Sequence, residues 1–159
     1  MKSIRLISLV LVLIVIGCSL IACDTDDTDM ELPERAYYDM TFSFQIKDET
    51  GRNIVDAVNY NYRGHEDPTI LNVITDYLAI EADYGYTIDN NNILVSVGKA
   101  KANAKNGDYW AFMKGTGHDV QAILADANLQ KKNFIDGKMS EYTLKDGDSF
   151  TVVLVKAKG

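Results

Sequence analysis

Two cysteines, two prolines and two histidines occur among 159 residues, and each scarcity removes a class of protein. Two cysteines cannot build the disulfide framework that lets small exported domains manage with little core. Two prolines exclude a proline-rich spacer, and two histidines leave little for a zinc site. Positive charge is also short: 16 Lys and Arg face 23 Asp and Glu, a net charge of -7. A nucleic-acid binder needs a basic face to displace counterions, and no such cluster falls on an aromatic-bearing segment. What the chain does have is 47% hydrophobic residues and fifteen aromatic residues, 9% of its length. That suffices for one folded domain and is too short for two.

The apolar residues are unevenly spread. Met1 to Ala22 opens with Lys2 and Arg5, runs apolar from Leu6 to Ile16 with Ser8 as its one break, and contains no acid. This is the layout of a secretory signal, and it is barely long enough to span a membrane. Its last residues, Leu20-Ile21-Ala22-Cys23, resemble the lipobox of bacterial lipoproteins. The resemblance implies a diacylglyceryl group on the Cys23 sulfur and cleavage just before it. Val15-Ile16-Gly17-Cys18 fits the looser form of the pattern. Cys23 is preferred because Leu suits the first position better, and because cutting at Cys18 would leave Leu20 and Ile21 exposed. A Cys18–Cys23 disulfide is the rival reading, and it would staple two residues inside an apolar helix. Acyl chains contribute about 0.8 kcal/mol per buried methylene, so two or three hold a small domain on a bilayer. The expected organisation is a signal peptide over 1–22, a lipidated acidic tether over 23–38, and a folded domain over 39–159 on the outer face of a bacterial cell membrane.

The tether, Asp24-Thr25-Asp26-Asp27-Thr28-Asp29-Met30-Glu31, has carboxylates and nothing bulky to bury, so it reads as a solvated spacer. A calcium loop would need a turn glycine and a closing bidentate Glu, and both are missing.

From Asp39 the pattern becomes period two, with Met40, Phe42, Phe44 and Ile46 alternating with polar residues, which predicts a half-buried strand. Turn chemistry over 48–53 and the alternation of Val58, Tyr60 and Tyr62 predict a hairpin partner. Asp67-Pro68 announces a helix carrying Ile70, Leu71, Val73, Ile74, Tyr77 and Leu78, ending near Gly85. Asp89 to Asn92 is a polar turn before a short strand ending at Val97. Gly98 to Gly107, with Lys99, Lys101 and Lys105, reads as an exposed loop; an anionic partner is its sharper reading. A strand over 109–113, a short helix within 119–129, a turn at 144–148 and a doubly apolar, hence central, strand over 150–155 complete the chain. This is an α+β domain, one sheet on one main helix, compatible with a β-grasp arrangement.

Three segments in this order, Pro68-Thr69-Ile70-Leu71-Asn72-Val73-Ile74, Tyr109-Trp110-Ala111-Phe112-Met113 and Leu144-Lys145-Asp146-Gly147-Asp148, resemble the transcobalamin-like C-terminal domain of bacterial surface proteins. The resemblance covers roughly residues 54 to 157 and implies a β-grasp-like fold. It departs where Lys114-Gly115-Thr116-Gly117-His118 replaces an expected Asn-Gly, and where an insertion from Asp119 to Glu141 precedes the closing turn. In vertebrate cobalamin carriers the equivalent domain covers one face of a corrinoid, so the resemblance implies cobalamin or a similar flat molecule as ligand rather than a resident cofactor. The other wall would have to come from a second copy or a second protein.

Within the Trp strand, Trp110 and Phe112 point to one side, Tyr109 and Met113 to the other. One set should be core and the other free to stack on a flat ligand or a partner. Tyr109, Trp110 and Phe112 are the candidate ligand-binding residues. His65 and His118 read as surface histidines, and Asp146 and Asp148 as turn residues rather than an acid-base pair. No nucleophile, phosphate-loop or metalloprotease motif occurs. The expected function is a non-enzymatic, lipid-anchored binding protein for a corrinoid or another flat ligand; the alternative is a surface module that holds another protein.

Overall fold

The computed structural model describes residues 37–81 and 84–157. The signal-like segment, Cys18, Cys23 and residues 24–36 of the expected tether lie outside the described residues; Tyr37 and Tyr38, its last two, are described, and Tyr38 opens the first strand.

The first strand, β1 (Tyr38–Lys47), and the second, β2 (Asn53–Gly64), form the expected antiparallel hairpin, Phe42 opposite Tyr60 and Phe44 opposite Val58. Asp48 makes the turn: its Oδ1 accepts from the backbone N–H of Thr50 at 2.8 Å and of Arg52 at 3.0 Å, and Gly51 takes a left-handed φ of 79°. The helix α1 (Ile70–Ile80) follows. Its cap is Thr69, whose hydroxyl accepts from the N–H of Asn72 at 3.2 Å, not Asp67. Asp67 instead accepts from the Tyr38 hydroxyl at 2.8 Å, so the acid has been drawn to β1. The helix also stops at Ile80, short of Gly85, because after Leu78 the apolar spacing lapses and Ala79 and Ile80 face solvent. Propensity alone does not carry a helix of this length; the buried stripe of Ile70, Leu71, Val73, Ile74 and Leu78 does, at about 1.5–3 kcal/mol per side chain.

Next come β3 (Tyr86–Ile88), β4 (Leu94–Val97) and β5 (Ala100–Lys101), a small antiparallel sheet. The loop expected over 98–107 thus contains a short strand and a single 3₁₀ turn, Ala104–Asn106. Then β6 (Tyr109–Lys114), two short helices, α2 (Val120–Ala125) and α3 (Ala127–Asn133), and β7 (Ser149–Val155) close the domain.

The main sheet has the order β2-β1-β7-β6, with β7 parallel to β1 and antiparallel to β6. The last strand is therefore central, and the fold is α+β: a β-grasp-like mixed sheet packed on one main helix. Alternate residues of β7 go to opposite faces. Phe150, Val152 and Leu154 join Phe42, Phe44, Trp110, Phe112 and the α1 stripe in the larger core. Val153 and Val155 join Ala111, Met113, Val120 and Ile123 under the two short helices. The insertion at 119–141 thus covers the second face of the sheet, which is why β7 is apolar on both sides.

One polar residue interrupts β7. Thr151 is fully buried; its hydroxyl donates to the Gly115 carbonyl at 2.7 Å and accepts from Gln45 Nε2 at 3.0 Å. Gln45 also donates to the Thr116 carbonyl at 2.6 Å. These bonds satisfy the buried polar atoms and hold the Gly115–Gly117 loop against the sheet.

Candidate functional site

The register places two surface concavities at opposite ends of the main sheet. Gly64, the last residue of β2, pairs with Tyr38 at the start of β1. Lys47 at the end of β1 pairs with Val153, so Lys156 lies at the far end.

At the first end a cleft of about 350 Å³ opens between the end of β2, one flank of α1, and Tyr86 of β3. Asn72, Thr75, Asp76 and Ala79 supply the helix wall, spaced three and four apart on one stripe. The strand side supplies Tyr62, Arg63, Gly64, His65 and Glu66. Most of these groups are held. The Asn72 amide donates to Glu66 Oε2 at 3.2 Å and to the Asp67 carbonyl at 3.1 Å, and the Tyr62 hydroxyl donates to the Glu66 carbonyl at 3.1 Å. Gly64 is required by its neighbour: a Cβ there would stand 2.5 Å from the Tyr62 hydroxyl oxygen.

Charge in this cleft is negative. Arg63 is turned to Asp39 at 3.3 Å, whereas Glu66 and Asp76 have no cationic partner among the described residues. Burial, followed by the charges of Asp76, Glu66 and Asp67, raises the Tyr62 phenol above its ordinary range. Tyr60, just behind, is raised further, by burial and then by its 2.6 Å hydrogen bond to Asp76 Oδ2. His65 lines the cleft mouth and meets Tyr37 edge to face at 4.7 Å.

The residues singled out from sequence lie elsewhere. Trp110 is 6% exposed and Phe112 1%, both in the larger core, and the Trp110 indole N–H donates to the Val95 carbonyl at 3.1 Å. Neither ring has a face open to a ligand. Tyr109 alone of the three is exposed, at 47%, on the face opposite Trp110. The structure does not bring Tyr109 into the cleft. His118 is bonded to the Lys114 carbonyl. Asp146 and Asp148 are turn residues, bonded to the N–H groups of Thr41 and Lys145 at 2.8 Å each. The cleft residues carry no periodic signal of their own: 63–67 joins the hairpin to the helix, and Asn72, Thr75 and Asp76 lie on the polar side of α1. The one signal was the His65-Glu66-Asp67 run facing the Asn72–Asp76 stripe, and sequence does not show that the two meet.

At the second end lies a larger hollow of about 640 Å³, lined by Val95, Lys101, Ala102, Asn103, Ala104 and Lys105. Asp108 braces it from behind, accepting from the Asn103 N–H at 3.0 Å, Lys156 Nζ at 2.9 Å and the Ala157 N–H at 3.2 Å.

No family model and no curated protein matches the chain. Among solved structures it is similar to haptocorrin in complex with Cbi, at 13% identity and a TM-score of 0.50 over 78% of this chain. It is also similar to a Ruminococcus gnavus ATCC 29149 protein solved at 1.30 Å, at 11% identity and a TM-score of 0.40, covering 75% of this chain and 99% of that one. The chain spans 26% of the haptocorrin chain. It is a distant relative, in fold, of one part of haptocorrin.

Proposed function

We propose that this protein is a non-enzymatic, lipid-anchored binding protein on the extracytoplasmic face of a bacterial membrane, and that its domain captures a flat small molecule of the corrinoid class. The observation that carries this reading is the fold likeness to a protein solved with Cbi, over most of the described domain. The cleft beside α1 is the best-formed place for such a ligand. Its volume lies at the lower end of the range of small-molecule sites. Its acceptors, Glu66 and Asp76, suit a rim of amide N–H donors such as a corrinoid carries. A cleft this open covers one side of a ligand, so a second copy or another protein supplies the opposite wall.

The full chain in neutral detergent, dialysed to equilibrium against cobinamide and against cobalamin, should retain the coloured ligand at tens of micromolar. Asp76→Asn combined with Glu66→Gln should weaken retention about tenfold. No retention of either corrinoid sinks this reading and leaves the alternative, a protein-holding surface, which the exposed Tyr109 and Ile80 favour. Anchoring has its own test: Cys23→Ala should abolish labelling by a fatty acid, whereas Cys18→Ala should not.

A further inference from the structure

We infer that the hollow at the far end of the sheet is a second binding site, for a small organic anion with an apolar body. It is separate from the cleft, and it does not depend on what the cleft binds. No acid occurs between Asp89 and Asp108, in a chain whose net charge is -7. In that stretch Lys99, Lys101 and Lys105 are all exposed, and none of their ammonium groups has an ion-pair or hydrogen-bond partner among the described residues. Lys101 and Lys105 stand on the lining of the hollow itself, and Lys99 sits at the β4–β5 turn beside it. Besides the two lysines the lining is Val95, Ala102 and Ala104, with Asn103 as its one uncharged polar residue.

The nearest acid is already neutralised. Asp108 is spent on Lys156 and on two backbone N–H groups, so it cannot offset the lysines in front of it. Those same bonds fix the hollow: Lys156 donates to the Lys101 carbonyl at 2.8 Å, the Ala102 N–H donates to the Val95 carbonyl at 3.0 Å, and Asn103 Oδ1 accepts from the Lys105 N–H at 3.2 Å. A fixed apolar floor with ammonium groups at its rim attracts a carboxylate or phosphate at the edge and a hydrocarbon or aromatic body across the floor. An inorganic anion would gain only the first of these contacts, and a neutral ring only the second. The acids Glu66, Asp67 and Asp76 lie at the other end of the sheet, so they repel an anion from the cleft and leave this end as its place.

The test uses the full chain in neutral detergent with 1-naphthyl phosphate, followed by the probe's fluorescence anisotropy. Saturable binding is expected, weakened at least tenfold in Lys101→Gln/Lys105→Gln and left unchanged in Lys131→Gln/Lys132→Gln, which removes the same charge from exposed positions of α3. Phenyl phosphate, transparent where the probe is excited, should displace it, and neutral phenol and inorganic phosphate should each compete at least tenfold less well than phenyl phosphate. Equal affinity in Lys101→Gln/Lys105→Gln overturns the assignment, as does equal competition by phenol. Binding of long-chain polyphosphate with none of naphthyl phosphate also overturns it, since the face would then be a diffuse patch for a polymer. Lys101 and Lys105 are both exposed, so circular dichroism of that double variant should match the parent.

Discussion

The carboxylate of Asp146 accepts a hydrogen bond from the backbone N–H of Thr41 at 2.8 Å, across 105 positions of sequence. The Gly147 N–H returns a bond to the Thr41 carbonyl at 2.9 Å, and Ser43 donates to the Asp148 carbonyl at 3.1 Å. The Asp-Gly-Asp turn thus extends the parallel β1–β7 pairing ahead of its first strand residue and sets where β7 begins. Asp146→Ala should cost about 0.5–1.5 kcal/mol, the net worth of one such bond. Thermal unfolding followed by circular dichroism should show a fall of roughly 2–8 °C; an unchanged midpoint would mean that the turn does not hold the ladder.

Phe44 lies stacked on Phe150, centroids 5.3 Å apart and planes 8° apart, with the edge of Tyr77 at 5.2 Å. It therefore joins the parallel strand pair to the helix. Phe44→Ala should destabilise by about 3–5 kcal/mol, and Phe44→Leu should recover more than half of that in urea titrations. Equal losses in both variants would show that ring stacking, not volume, is what matters there.

Gly64 cannot accept a side chain while Tyr62 keeps its place, since an added Cβ would lie 2.5 Å from the hydroxyl oxygen and 2.7 Å from the ring carbon bearing it. Tyr62 is 4% exposed, and its hydroxyl is held by the Glu66 carbonyl at 3.1 Å. Gly64→Ala should cost about 1–3 kcal/mol by overpacking and break the hydroxyl's bond to the Glu66 carbonyl. The amide resonance of Asp67 should move in a nuclear magnetic resonance spectrum, and resonances at the lysine end should not.

Acid stability should depend on Asp108. The Lys156 ammonium, then the Asn103 N–H, outweigh the cost of burial and hold its carboxyl below the usual carboxylate value. A lowered folded value means that its stabilisation is present above the unfolded pKa, about 3.9, and lost as pH falls through the folded one. Asp108→Asn should therefore be less stable than the parent at neutral pH and converge with it as pH falls below the usual carboxylate range. A constant gap between the two melting curves from neutral pH down to acid would refute the linkage.

The alkaline limb has the opposite sign. Burial and the bond to Asp76 raise the Tyr60 phenol, so its contribution is complete below about pH 10 and is lost only as pH rises beyond that. In a tyrosinate absorbance titration, Tyr60→Phe should remove one of the last phenols to ionise and leave the early ones unmoved.

Much of the architecture is legible in the residues. The alternation from Met40 to Ile46, the three-and-four spacing from Ile70 to Leu78 and the doubly apolar Phe150–Val155 run each state their element, because burial on one face, one stripe or two faces leaves a distinct period. Asp67 and Thr69 are both good helix caps by residue type, and only the tertiary fold shows Asp67 taken by Tyr38. Strand β3 was missed because three residues carry no period. Trp110 shows the limit for function: alternation assigned it a side of its strand, but which side is core depends on α1 and β4 arriving over it.

By itself, then, the sequence determined the composition of the elements and the central place of the last strand. The two ends of the sheet were decided by the tertiary structure alone. The parallel pairing of β1 with β7 carries Lys156, Asp108 and the lysine-bearing loop to one end, and the β1–β2 hairpin returns Glu66 and Asp67 to the other, against α1. Those juxtapositions come from register between strands a hundred residues apart, and periodicity, which is a local property of the chain, does not contain them.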